Sequence, residues 1–222
     1  LSRSSAASDV YKRQHIFSML GKNRRLEKSK DHIEFLEKTY RLDQDYTPYE
    51  NEGLFLEGTS RLVMDRINRI AYMGISARSD LKLAEIWSEK NDFKLIPFET
   101  SSHTGGPIYH SDVMMYIGTE LAVVCKDAIT SGKSNVIESL GKTHELMFIS
   151  HSQLLNFCGN CIEVKDDQNR LCLVMSSKAI AGYDDSQKKV LNHFYDRIIH
   201  SDLETIESHG GGSARCMIME LY

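Results

Sequence analysis

Proline is scarce in this chain, three residues in 222, and no stretch rich in glycine and serine separates them. Nothing therefore marks a linker, and the length reads as one domain or two small ones. No run approaches the roughly 20 consecutive apolar residues that a membrane span requires. A basic surplus is also missing: 27 Lys and Arg against 31 Asp and Glu leave a net charge of −4, with no pull on nucleic acid or an anionic membrane. The first fourteen residues, LSRSSAASDVYKRQ, lack the apolar core of a secretory signal. Five cysteines (Cys125, Cys158, Cys161, Cys172 and Cys216) are odd in number and form no regular framework. Free thiols in a reducing cytoplasm are the expectation. What is present, 41% hydrophobic and 26% charged residues, is the make-up of a soluble globular protein and too apolar for disorder. A small soluble molecule is the default partner.

Residues 1–14 are rich in serine and alanine without an amphipathic period and resemble a translated adaptor. They are expected to lie outside the fold, with a domain over 15–222 whose own N-terminus is missing. Leaving them out moves the net charge to −6. Along the rest, one pattern recurs. Residues 60–64 and 69–73 flank turn chemistry and read as a β-hairpin. A helix follows at about 79–91, with Ser79 as N-cap and Leu81, Ala84, Ile86 and Trp87 near one face. An extended FKLIPF closes the unit. VMMYIG, ELAVVC, a helix near 133–142 and ELMFIS make a second unit. CIEVK, LCLVMS, a helix near 184–197 and an extended stretch around 202–206 make a third. Strand, strand, helix, strand at a spacing of about 50 residues suggests stacked repeats in a propeller or solenoid. A leading helix at about 27–40 either ends an earlier unit or stands alone on the surface.

Four local features sit at the edges of these units. Glu57, in FLEGT, is a carboxylate between apolar residues and a glycine; it is either an exposed turn acid or a ligand for a cation. His110 and Asp112, in GGPIYHSD, would share one face of a strand because strand side chains alternate. They read as a proton shuttle with an anionic partner, or as a satisfied structural histidine. Cys158-Gly159-Asn160-Cys161 has no second pair to complete a zinc site and opens a strand rather than a helix, which favours ordinary core cysteines over redox or metal chemistry. The fourth, GGGSARC, sets Cys216 between a glycine-rich loop and an apolar strand from Met217 to Leu221, as a nucleophile or as part of a surface loop. A cysteine, a histidine and two carboxylates without a metal set suit a planar cationic substrate, which carboxylates grip bidentately. A thiolate could attack its central carbon while the histidine protonates the departing amine. Papain-like proteases place their cysteine at the head of a long helix near the mature N-terminus, unlike Cys216.

The segments FLEGTSRLVMDRINRIAYMGISARSD, PIYHSDVMMYIG, GNCIEV with LVMS, and GGGSARCM resemble the guanidino-group modifying enzymes of the pentein superfamily. They are most similar to the amidinotransferase-like or citrulline-utilisation hydrolases (citrulline ureidases), relatives of arginine deiminase and dimethylarginine dimethylaminohydrolase. The resemblance runs from about His15 to Tyr222, with the motifs in family order. It implies an α/β fold, a five-bladed propeller of ββαβ modules, here incomplete with the first module missing. It implies Cys216 as the nucleophile, His110 as general acid/base, and Glu57 and Asp112 as acids that hold the guanidinium or ureido nitrogens. Arg78 would bind the substrate α-carboxylate. Asn160, with Gly211 and Gly212, would shape the loop beside the cysteine. No metal or other cofactor is implied, and a homo-oligomer is. The implied activity is hydrolysis of a C–N bond in arginine, a methylarginine or citrulline. The alternatives are an amidinotransferase and a non-catalytic scaffold binding an arginine-like ligand. Two departures stand out: Gly58-Thr59-Ser60 replaces the Gly-Gly-Asp of many relatives, and Asp112 stands where the citrulline group often has Asn, which leans toward a cationic guanidine.

Overall fold

The structure, a computed structural model, describes residues 13–220. The segment 1–14 thus lies almost wholly outside the described residues, although Arg13 and Gln14 begin the first strand, β1 (Arg13–Ile16). Helix α1 (Lys30–Glu37) is capped by Ser29, whose hydroxyl accepts the His32 amide. It leads to β2 (Arg41–Asp45), which pairs parallel with β1. The helix expected near 27–40 is therefore not a lone surface element. It bridges two parallel strands, as the end of an earlier unit would.

Three complete ββαβ units follow. Strands β3 (Leu62–Asp65) and β4 (Ile70–Gly74) form an antiparallel hairpin. Asp65 closes it by accepting the Asn68 backbone amide at 2.9 Å and the Asn68 side-chain amide at 2.8 Å. Helix α2 (Leu81–Lys90) crosses over, and β5 (Lys94–Thr100) returns parallel to β4. Leu83, Ala84 and Trp87 form its buried face, whereas Leu81, expected there, is exposed. The cap is Asp80 rather than Ser79. Asp80 Oδ1 accepts the Leu83 amide at 2.9 Å, and the Ser79 hydroxyl is engaged elsewhere, donating to the Gly74 carbonyl at 2.7 Å.

The second unit holds β6 (Met115–Ile117), β7 (Leu121–Val124), helix α3 (Lys133–Leu140) and β9 (Glu145–Phe148), with β9 parallel to β7. An unforeseen short strand, β8 (Ile129–Ser131), adds antiparallel to the end of β5 and ties the first two units together. Helix α4 (His151–Leu155) precedes the third unit. That unit comprises β10 (Ile162–Lys165), β11 (Leu171–Ser176), helices α5 (Ser177–Gly182) and α6 (Asp185–Phe194), and β12 (Arg197–Ser201), parallel to β11.

Two expectations at the C-terminal end fail. The extended stretch expected around 202–206 is instead the start of helix α7 (Glu204–Gly210). Its first turn carries Glu204 and Glu207, carboxylates that favour a helix N-terminus. The strand expected from Met217 to Leu221 does not form over its described residues: Met217 ends a 3-10 turn, Ala214–Met217, residues 218–220 belong to no strand, and Leu221 lies outside the described residues. There the Ile218 carbonyl accepts from Arg215 Nη1 at 3.0 Å rather than from a neighbouring strand.

A smaller apolar cluster (Tyr46, Leu56, Leu62, Met73, Leu83, Trp87) lies under the first unit. A larger one runs from it through the second and third. The α/β class and the repeat stand. Among the described residues the strands form four separate open sheets, and the five-bladed closure with one absent module is not displayed by them. No helix of the described residues is long and apolar enough to cross a membrane.

Candidate active site

Connections at the ends of the units deliver the site. Glu57 precedes β3, in a segment held where the Leu56 amide donates to Ser18 Oγ at 2.9 Å. Its carboxylate is buried and shared. Oε1 accepts the Leu20 amide at 3.1 Å; Oε2 lies 3.0 Å from His110 Nε2, 3.1 Å from Arg24 Nη1 and 3.7 Å from Arg78 Nη1. His110 and Asp112 are buried, but not on a strand. His110 is extended, and Ser111–Val113 form a 3-10 turn leading into β6. Alternation along a strand is therefore not what joins the pair. The turn is pinned to the first unit, where the Gly74 amide donates to Ser111 Oγ at 2.9 Å.

Cys216 follows α7 in the turn Ala214–Met217. Gly211 ends α7 with φ +71°, in the left-handed region that glycine occupies without strain. Its carbonyl accepts the Tyr109 hydroxyl. At Gly212, a Cβ would lie 2.9 Å from both Cβ and Sγ of Cys216, so the nucleophile candidate packs directly on that glycine. Asn160 is fully buried and ties three segments of the site together. Its side-chain amide donates to the Asp112 carbonyl at 2.8 Å and to Cys216 Sγ at 3.1 Å, and its Oδ1 accepts the Ser213 amide at 3.1 Å. Cys216 Sγ in turn meets Asp112 Oδ2 at 3.6 Å.

Burial and charge set the protonation states. Cys216 reaches solvent, yet its sulfur sits in a crowded recess. The low polarity there, and then the Asp112 charge, push the thiol up to about 12. Burial likewise raises Asp112 to about 7, against the pull of Arg215 and Arg61, and lowers His110 to about 4. Burial also works against ionisation of Glu57, but the His110 hydrogen bond, the Leu20 amide and Arg24 outweigh it and hold that carboxyl below its usual value. With Glu57 ionised, His110 Nε2 carries the proton and donates to it.

The structure thus gathers His110, Asp112, Glu57, Arg78, Asn160 and Cys216. Cys158 and Cys161 are buried, free core thiols; Cys158 donates to the Ala179 carbonyl and Cys161 to the Cys158 carbonyl. Donor atoms of His110, Asp112 and Cys216 lie within 4.8 Å of one another, a spacing at which a thiophilic cation could also bridge them. Several residues escaped sequence reasoning. Arg24 comes from a 3-10 turn (Arg24–Glu27) with no motif around it. Tyr109 lies beneath the Arg78 guanidinium, 5.8 Å from its ring centroid. Buried Glu207 accepts from Ser213 Oγ at 2.6 Å. Arg61 is wholly buried; the signal for it was a charge heading the apolar run Leu62-Val63.

Comparison with known proteins bears on the fold and the family. No curated protein matches the chain. Among solved structures, the N-terminal domain of ArgZ, an arginine dihydrolase from Cyanobacteria, studied as a cysteine-to-serine variant bound to substrate, aligns with TM-score 0.74 and 16% identity over 95% of this chain and 71% of that one. AgrE in complex with L-arginine aligns with TM-score 0.75 and 18% identity over 95% of this chain and 29% of that one. SxtG, an amidinotransferase from Microseira wollei, aligns with TM-score 0.64 and 11% identity over 95% and 66%. At these identities the likeness is one of fold. The family profile described as N,N dimethylarginine dimethylhydrolase, eukaryotic, matches residues 7–222. Motifs, fold and profile together make the chain a member of that family, within the pentein superfamily of guanidino-group modifying enzymes.

Proposed function

We propose that this chain hydrolyses a carbon–nitrogen bond of a guanidino or ureido amino acid through a covalent adduct on Cys216. The observation that carries the reading is the convergence of Cys216, His110 and Asp112 within 4.8 Å, with Glu57 3.0 Å behind the histidine. This is a nucleophile, a base and a group that orients the base. The raised thiol and lowered imidazole mean that before attack the sulfur is protonated and the histidine neutral. As sulfur bonds to the central carbon of the substrate, its proton passes to His110, and the Glu57 carboxylate stabilises the imidazolium. His110 returns that proton to the leaving nitrogen as the C–N bond breaks. It next takes a proton from water, whose oxygen attacks the adduct carbon. The C–S bond then breaks, and the sulfur recovers its proton. Asp112 holds the substrate nitrogens beside the sulfur, Arg78 meets its α-carboxylate, and Asn160 donates to the sulfur as it becomes anionic. In the related fold of ArgZ, a variant has been seen covalently bound to a reaction intermediate.

The test is incubation of the purified chain with arginine, asymmetric dimethylarginine and citrulline, assaying ammonia, methylamines and the amino-acid product. Absence of turnover of all three overturns the proposal. An amidinotransferase, the reading that the likeness to SxtG favours, shares every step up to the adduct. It would show itself by passing the adduct carbon to an added amine instead of water.

A further inference from the structure

The turn that carries Cys216 is tied to the first unit by charge. Glu220 Oε2 accepts from Arg215 Nη2 at 2.7 Å and from Arg66 Nη2 at 3.2 Å. Arg215 directly precedes Cys216, and its Nη1 donates to the Ile218 carbonyl at 3.0 Å. Arg66 lies 154 residues from Glu220, in the turn between β3 and β4. That turn is itself braced, because Asp65 accepts both the backbone and the side-chain amide of Asn68. The side chains of Arg215 and Glu220 are largely withdrawn from solvent, 12% and 21% exposed. An isolated surface ion pair contributes little, but a carboxylate shared by two guanidinium groups is a network that fixes geometry. Arg215 also reaches the site: of the charges that act on Asp112, its own is the strongest.

We infer that Glu220 is a positioning residue for Cys216: anchored on Arg66, it fixes Arg215 and, through Arg215, the 3-10 turn that presents the sulfur. Asn160 and Asp112 hold the sulfur from within, at 3.1 and 3.6 Å. Glu220 holds the backbone of the same turn from without. Removing its carboxylate leaves the turn's own hydrogen bonds in place, the Cys216 amide to the Ser213 carbonyl and the Ile218 amide to the Arg215 carbonyl. What is lost is the tie to the β3–β4 hairpin. Arg215, released from Glu220, is drawn toward the Asp112 carboxylate, and the turn moves with it. A displacement of about 1 Å at a reacting atom costs on the order of 100-fold in rate. The role is geometric, and no proton passes through Glu220. The inference rests on Cys216 being the nucleophile of the proposed reaction.

Iodoacetamide labelling of the native chain, read peptide by peptide by mass spectrometry, tests it without turnover. Cys216 is exposed, whereas Cys125, Cys158, Cys161 and Cys172 are buried, so those four gauge general loosening. In Glu220→Ala, Cys216 is expected to label about tenfold faster as the sulfur leaves its recess between Asn160 and Asp112. The four buried cysteines should stay unlabelled, and the melting temperature should stay within about 4 °C of the parent. Arg66→Met, altered on the far side of the contact, should raise the Cys216 rate about threefold. Glu220→Gln, whose amide oxygen still accepts from both arginines, should lie nearer the parent than Glu220→Ala. With a substrate that the parent turns over, kcat of Glu220→Ala should fall about tenfold and KM stay within about twofold, the signature of misplaced chemistry. An unchanged Cys216 labelling rate in Glu220→Ala overturns the inference, as does a rise shared by all five cysteines. An unchanged rate in Arg66→Met also overturns it, and that result stands even where Glu220→Ala fails to fold. Labelling does not depend on the reaction, which keeps the two readings apart. Absence of turnover in the parent, with Cys216 released by Glu220→Ala, removes the hydrolase proposal and keeps this inference. Turnover with unchanged labelling does the reverse.

Discussion

Asn160 and Cys216 meet through a 3.1 Å hydrogen bond that joins residues 56 apart in sequence. The same side chain holds Asp112 by its carbonyl and Ser213 by its amide. One buried amide thus sets the distance between the sulfur, the carboxylate and the glycine-rich loop.

Replacing Asn160 by Ala leaves the Ser213 amide and the Asp112 carbonyl without that partner. Loss of about 2–4 kcal/mol of stability is expected from buried groups left unpaired, measured by urea denaturation. The rate constant kcat should fall about 10–100-fold as the sulfur loses its position.

Cys216→Ser should abolish turnover, by about a thousandfold or more in kcat. Serine is close to cysteine in size and can keep the contacts to Asn160 and Asp112, so stability should stay within about 1.5 kcal/mol of the parent. Mass spectrometry of the quenched reaction should find the substrate-derived adduct on the peptide containing Cys216, and none in the variant.

Gly212→Ala brings a methyl group to 2.9 Å from the sulfur of Cys216. The turn must shift to admit it, and a displaced nucleophile costs about 100-fold in kcat. KM should change little, which steady-state kinetics will separate.

Arg78→Ala should raise KM for an amino-acid substrate about tenfold while leaving kcat within about threefold, the pattern of lost ground-state binding. A substrate analogue without the α-carboxylate should bind both proteins alike.

Asp112 gives stability a definite pH dependence. The folded carboxyl keeps its proton up to about 7, whereas the unfolded one loses it near 3.8. Between those values the folded state binds more protons, so this group's contribution to stability declines as pH rises from about 4 to 7 and levels off above. Asp112→Asn removes the effect. Its Tm should exceed the parent's by about 4 °C or more at pH 8, with a smaller difference at pH 5, in paired thermal melts.

Much of this was readable from the chain. The β-rich runs around DRIN and the helix after them formed as expected, because alternation and turn chemistry act locally. Motif order also singled out Glu57, His110, Asp112, Asn160 and Cys216 as candidates, and the structure brings them together. What escaped depends on distant partners. His110 and Asp112 converge through a pinned turn rather than a strand face. Over its described residues the stretch anticipated as a strand after Cys216 joins no sheet, and its Ile218 carbonyl accepts from the Arg215 side chain instead. Arg24 reaches Glu57 across 33 residues, and nothing in its own surroundings announces that.

The partners of the site lie far apart along the chain: 53 residues from Glu57 to His110 and 104 from Asp112 to Cys216. Each hairpin can form from nearby residues, but these pairings close long loops whose entropy must be overcome first. On refolding, secondary structure should therefore precede the functional geometry, and catalytic competence becomes the last property the molecule acquires. It is also the first that loosened packing between units would take away.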